Sequence, residues 1–212
     1  MAYPAPVAAA LSGASIRQLA YWRNERATKG ALLLPEYRPS PGRILYSFRD
    51  VMALRTFVYL RGDLSLQRIR HAVANLRELG NREHLSEYRL VVVGDSVVLA
   101  EDRRHATDLV NRPAAGRMLA TLGEVFAPFP TSTGEVVVDL YRPRRRLTVN
   151  PEVRGGYPVI KDTRLPFDQV ATLVNDGVEP SRIRQFYPGV TAPAARDAHS
   201  FALYVESLKL AS

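Results

Sequence analysis

The 212-residue chain contains no cysteine. That excludes disulfides, thiolate metal sites, iron–sulfur clusters and cysteine nucleophiles, and with them the small secreted scaffolds that depend on disulfide staples. Its first sixteen residues carry no charge before the helix they enter, and Pro4, Pro6 and Gly13 interrupt them. Such a start has neither the basic leader of a signal peptide nor the length of a membrane span, so the expectation is a cytoplasmic protein without a membrane partner. Charged residues at 24% and hydrophobic residues at 46% are ordinary globular usage and exclude a disordered or fibrous chain.

What the chain has is positive charge, and it is unevenly placed. Counting Lys and Arg against Asp and Glu, residues 1–80 give 12 − 5 = +7, residues 81–145 give 9 − 9 = 0, and residues 146–212 give 8 − 7 = +1. Nearly all of the net +8 therefore lies in the first 80 residues. The asymmetry points to a polyanion-binding module followed by a neutral remainder.

Residue spacing places helices in that module. An Ala-rich segment, Val7 to Leu11, meets Gly13-Ala14-Ser15, and a second helix is expected from Ser15 as N-cap to about Arg26, with Ile16, Leu19 and Trp22 on one face. This is helix-turn-helix spacing. Ala31 to Leu34 and Ile44 to Tyr46 flank Pro39-Ser40-Pro41-Gly42 and read as two strands of a wing. Phe48 to Leu60 and Ser65 to Leu79 follow as helices with apolar stripes.

Gly13-Ala14-Ser15-Ile16-Arg17-Gln18-Leu19-Ala20-Tyr21-Trp22, then Leu33-Leu34-Pro35, Tyr46-Ser47 and Leu64 to Arg70 together resemble the winged helix-turn-helix of MerR-type regulators. Ala20 stands where that family commonly has arginine, and no long coiled-coil helix follows Gly80. On the second helix Arg17, Gln18, Tyr21 and Arg23 are expected to face outward, because arginine pairs with guanine and glutamine with adenine in the major groove. Arg43, beside the wing turn, is placed to meet phosphate or the minor groove. Paired heads on palindromic operator DNA imply a homodimer.

Residues 81–140 read as an α+β connector. Val-rich runs around Gly94-Asp95 form a hairpin, Glu135 to Leu140 is expected to extend its sheet, and short helical patches lie between Arg103 and Phe129. A basic junction, Tyr141 to Arg146, leads to residues 141–212, where three capped helices are expected. Phe167 opens the first, with Val170 and Val174 inward. Pro180 opens a shorter one, with Ile183 and Phe186 inward, and Thr191 caps the last.

The string Asn150-Pro151-Glu152-Val153-Arg154-Gly155-Gly156-Tyr157-Pro158-Val159-Ile160-Lys161-Asp162-Thr163-Arg164-Leu165-Pro166 resembles the DUF433 family of antitoxin-like domains, with Asp162 in place of the usual glycine, a change expected to alter the turn. DUF433 domains are commonly encoded beside PIN-domain ribonuclease toxins. The resemblance therefore implies that this tail binds such a toxin, with Arg154, Lys161 and Arg164 as the cations delivered toward its metal-binding carboxylates. A local role for Arg164, capping carbonyls or pairing with Asp162, stands beside that reading.

No catalytic or metal-ligating constellation is expected. His71, His84, His105 and His199 are scattered, and Asp197, His199 and Ser200 sit too close along one helix to converge. No cofactor is implied. The expected fold is mainly α with small β elements, an α+β class of winged helix-turn-helix (1–80), connector (81–140) and DUF433-like three-helix bundle (141–212). The expected function is that of a VapB-like antitoxin that inhibits a PIN toxin and represses its own operon. The alternative is a free-standing regulator that responds to a ligand or protein.

Overall fold

A computed structural model describes residues 2–24, 30–40, 43–78, 90–93, 96–100, 106–108 and 125–210. The fold is α+β, helices with small antiparallel sheets. β1 (Tyr3–Pro4) runs into α1 (Ala5–Ser12), whose three consecutive alanines, Ala8 to Ala10, are fully covered. Small side chains let other helices approach closely, and α1 is packed from both sides, by α3 (Phe48–Leu60) and by the final helix α6 (Ala192–Leu210). The amide of Gly13 donates to the Ala9 carbonyl (2.8 Å) and ends α1.

Ser15 then starts α2 (Ile16–Trp22) with a reciprocal cap. The Gln18 amide donates to Ser15 Oγ (3.1 Å), and the Ser15 amide donates to Gln18 Oε1 (2.8 Å). The helix stops at Trp22, short of the expected Arg26. Its Trp22 carbonyl is taken by the amides of Leu32 (2.7 Å) and Leu33 (3.3 Å), which occupy the place of the next helical turn. The same bonds correct the wing. Ala31, Leu32 and Leu33 are buried in the core, and the strand is β2 (Tyr37–Ser40), paired antiparallel with β3 (Arg43–Tyr46). β1 completes that sheet in the order β1-β3-β2. Ser47 and the buried Asp50 form a second capping box at the start of α3, and α4 (Leu66–Glu78) follows.

The expected hairpin is present as β4 (Leu90–Val93) and β5 (Ser96–Ala100), joined by β6 (Ala106–Asp108). Its turn and most of the helical patches expected between Arg103 and Phe129 lie outside the described residues. The segment from Glu135 does not extend that sheet. β8 (Val136–Val137) pairs instead with β7 (Phe129–Pro130), because Val137 is drawn into the core against the turn at Gly13.

In the tail, β9 (Leu147–Thr148) pairs with β10 (Val159–Ile160), and α5 (Phe167–Asn175), a 3-10 segment (Pro180–Gln185) and α6 close the fold. Thr191 caps α6 through the Ala194 amide (3.3 Å), and Ala195, Ala198, Phe201 and Val205 face inward. Phe186, expected inward, is 51% exposed, whereas Ile183 is fully buried: the 3-10 segment ends at Gln185, and Phe186 follows it as the cap residue.

Head and tail share one hydrophobic core. A ladder of rings crosses between them. Tyr3 lies 5.9 Å from Tyr157, Tyr157 is 5.8 Å from Phe167, and Phe167 meets Phe201 edge-on at 4.9 Å. Burial drives the hydroxyls of Tyr3 and Tyr157 well above the ordinary tyrosine range, with Asp168 pushing Tyr157 the same way. Arg55, fully buried on α3, knots the segments together. Its guanidinium donates to the carbonyls of Leu11, Val125, Phe126, Ala127 and Val138, and lies 5.0 Å from the Phe129 ring centre. Desolvation pulls its pKa down to about 10, against the raising influence of Asp139 and Tyr204, so it stays charged at neutral pH.

Candidate nucleic-acid and partner interfaces

Capping fixes the start of α2, and its apolar residues fix its rotation. Leu19 and Trp22 are buried, which turns Arg17, Gln18, Ala20 and Tyr21 outward. Arg17 and Tyr21 are one helical turn apart on this face. Tyr21 is held in place from below: the Arg70 guanidinium lies 5.2 Å from its ring centre and donates through Nη1 to the Gly30 carbonyl (2.7 Å). Arg70 was invisible as a site residue in the sequence, since an Arg-x-Arg on a helix reads as solvated surface.

Gln18 has a second task. Its side-chain carbonyl oxygen accepts the Ser15 amide, so a contact to adenine through that oxygen shares the acceptor with the cap. Arg23 turns away from the face, is partly buried, and donates to the Tyr46 hydroxyl (3.3 Å). Arg43 is exposed at the base of the β2–β3 turn, directly across from Ser40. The structure therefore brings Arg17, Gln18 and Tyr21 together, sets Arg43 on the adjacent hairpin, and commits Arg23 to the joint between α2 and β3.

The tail's signature loop is built on unusual backbone. Arg154 (φ 53°), Gly155 (φ 61°) and Gly156 (φ 84°) are left-handed in succession. Asp162 keeps the turn that glycine would make: it adopts φ 62°, a conformation that aspartate tolerates better than most side chains. Thr163 locks that turn, donating to the Ile160 carbonyl (2.8 Å) and accepting from the Leu165 amide (3.1 Å). Arg154 Nε donates to the Arg164 carbonyl (3.2 Å) and ties the two turns together.

Lys161 and Arg164 are exposed, and neither side chain bonds to another described residue; in particular, Arg164 makes no ion pair with Asp162. They line one cavity of about 420 Å³ that Arg142 and Arg145 of the basic junction also line. Arg154 stands outside that cavity lining. Asp197 is engaged elsewhere, accepting from the Arg146 amide (2.9 Å) and pairing with its guanidinium (3.4 Å), while Ser200 accepts from Arg144 (3.4 Å).

Residues 147–202 match DUF433, described as "Protein of unknown function (DUF433)". The chain carries a DUF433 domain. Its DUF433 region begins at β9 and ends within α6, so the helix-turn-helix lies wholly outside it. The chain is 31% identical over 112 residues to the uncharacterized HTH-type transcriptional regulator Rv1830 of Mycobacterium tuberculosis, covering 51% of this chain and 47% of that one. It is 33% identical over 75 residues to the uncharacterized protein y4eO of Sinorhizobium fredii, 35% of this chain and 34% of that one. The chain thus spans about half or less of the length of these curated relatives. The crystal structure of Rv2018 from Mycobacterium tuberculosis shares the fold, with a TM-score of 0.55 at 14% identity over 92% of this chain and 96% of that one. Among the described residues, no helix is long and apolar enough to cross a membrane.

Proposed function

We propose that the protein is a cytoplasmic antitoxin that represses its own operon through a MerR-like helix-turn-helix and restrains a PIN-domain ribonuclease through its DUF433 domain. It acts as a homodimer on operator DNA and by binding, without chemistry of its own. The observation that carries the DNA-binding half is the capped α2, which holds Arg17 and Tyr21 on one exposed face and is joined to β3 through Arg23 and Tyr46. Similarity to regulators named as HTH-type supports it. Arg17 reads base edges, Arg43 meets backbone phosphate, and Tyr21 packs against the groove wall on its Arg70 support. Arg23 fixes the angle between helix and hairpin.

The inhibitory half rests on the cations of the signature loop. Lys161 and Arg164 present unpaired charge to an acid-rich ribonuclease surface, and Arg154 holds the loop that carries them.

A short reading frame with PIN-spaced acidic residues beside this gene is the partner to test. Co-expressed with the full chain, it should copurify, and the chain should rescue growth. Arg164→Glu should weaken the complex at least tenfold, since it removes an attraction and adds like-charge repulsion. Arg182→Glu, the same charge change on the 3-10 segment, should leave it within twofold. Equal effects of the two variants would contradict the electrostatic role of the loop, and failure of the wild type to copurify would contradict the antitoxin reading.

A further inference from the structure

The basic junction divides its four arginines by alternation. Arg144 is spent on the fold, donating to Ser200 and lying 5.6 Å and 5.5 Å from the ring centres of Phe201 and Tyr204. Arg146 is likewise spent, on Asp197. Arg142 and Arg145 are left exposed, with no side-chain bond to any described residue, and both line the 420 Å³ cavity with Lys161 and Arg164. Four cations and one carboxylate, Asp162, give the lining 4 − 1 = +3.

The two edges of this cavity are fastened to each other. β9 pairs with β10, the Lys161 amide donates to the Arg146 carbonyl (2.9 Å), and Arg146 is anchored to α6. Like charges are therefore held together by backbone pairing, without a counter-ion network among the described residues. A run of arginines serving only as a solvated linker has no reason to be held in this way.

The shape has a consequence for how a partner is met. A cation that enters another protein's metal site must stand proud of its surface, whereas these cations line a concavity. We infer that the cavity receives a protruding acidic segment of the partner protein, and that Arg142 and Arg145 belong to the binding site with Lys161 and Arg164. The inference rests on the reading of the tail as the binder of an acidic protein, and it reverses which partner inserts into which. Duplex DNA offers its phosphates on a convex surface, which reaches the rim of such a cavity and not its interior.

The test uses the full chain and a fluorescein-labelled hexaglutamate peptide, followed by fluorescence anisotropy at low salt. The peptide should bind. The double variant Arg142→Glu/Arg145→Glu should bind it at least tenfold more weakly, Arg142→Gln/Arg145→Gln should fall between, and Arg182→Glu/Arg184→Glu should stay within twofold of wild type. Circular dichroism confirms that all three remain folded. Equal peptide binding by all variants would overturn the inference, as would stronger competition by hexathymidylate or inorganic phosphate than by unlabelled hexaglutamate. If the ribonuclease copurifies and responds to Arg164→Glu while the Arg142/Arg145 variants change neither its binding nor the peptide's, the cavity inference fails and the antitoxin reading stands. Cavity-dependent peptide binding without any copurifying ribonuclease gives the converse.

Discussion

Replacing Arg55 with methionine should lower the unfolding free energy by about 4 kcal/mol or more, an effect at the extreme of single substitutions. The reason is accounting of carbonyls. Arg55 satisfies five of them, on Leu11, Val125, Phe126, Ala127 and Val138, in a place its own side chain fills completely. Methionine restores the volume and none of the donors. The Phe126 carbonyl keeps the Leu140 amide, but the buried Leu11 and Val125 carbonyls and the half-buried Ala127 and Val138 carbonyls lose this donor, at roughly 1–3 kcal/mol for each buried acceptor left without a partner. Arg55→Lys should fall between, because three ammonium protons on a point charge cannot reach five acceptors arranged for a planar fork. Urea denaturation followed by circular dichroism measures both. A loss below 1 kcal/mol for the methionine variant would show that residues 125–140 are not held to the helical head by this side chain.

Gly156→Ala should cost about 2–5 kcal/mol. Two terms add: roughly 1–2 kcal/mol for a β-carbon at φ 84°, and about 1–3 kcal/mol for forcing a methyl into a filled space. That methyl would sit 2.5 Å from the Tyr3 hydroxyl and 2.7 Å from Phe48, both in the head. Gly177 separates the terms, since it has φ 90° and nothing within 4 Å of the added carbon. Gly177→Ala should therefore show the backbone term alone. Equal losses at the two glycines would mean that head and tail are not pressed together at this point.

The helices were legible because local signals set them. The apolar stripe from Phe48 to Leu60 announces α3, which spans that range, and Ser15 as N-cap announces the start of α2. The DUF433 string was legible for a related reason: its glycines, Thr163 and Pro166 impose turns locally, strongly enough that Asp162 takes the glycine-like conformation. What failed was long-range. Ala31 to Leu33 have the composition of a strand, but the open carbonyl of Trp22 captures their amides, and nothing near them in sequence says so. Glu135 onward looks like a strand of the nearest sheet, and it pairs elsewhere because Val137 fits against the Gly13 turn. In the same way the sequence suggests separable head and tail, since neither Tyr3 nor Arg55 reveals a partner more than seventy residues away. Of the candidate site, Arg17, Tyr21, Lys161 and Arg164 were readable as exposed cations and an aromatic on turns and helix faces. The cap on Gln18, the tether on Arg23 and the recruitment of Arg142 and Arg145 depend on tertiary packing.

Repression by this chain depends first on α2 reading DNA. Fluorescence anisotropy with a labelled duplex from the region upstream of this gene, titrated with the full chain at several salt concentrations, tests it most directly. Wild type should bind that duplex more tightly than a shuffled one, with affinity falling steeply as salt rises because phosphate contacts release counterions. Arg17→Ala should lose about 1–3 kcal/mol on the upstream duplex and much less on the shuffled one, whereas Arg43→Ala should weaken both alike. Equal wild-type affinity for the two duplexes, or an Arg17→Ala variant that binds the upstream duplex as well as wild type does, would contradict the account.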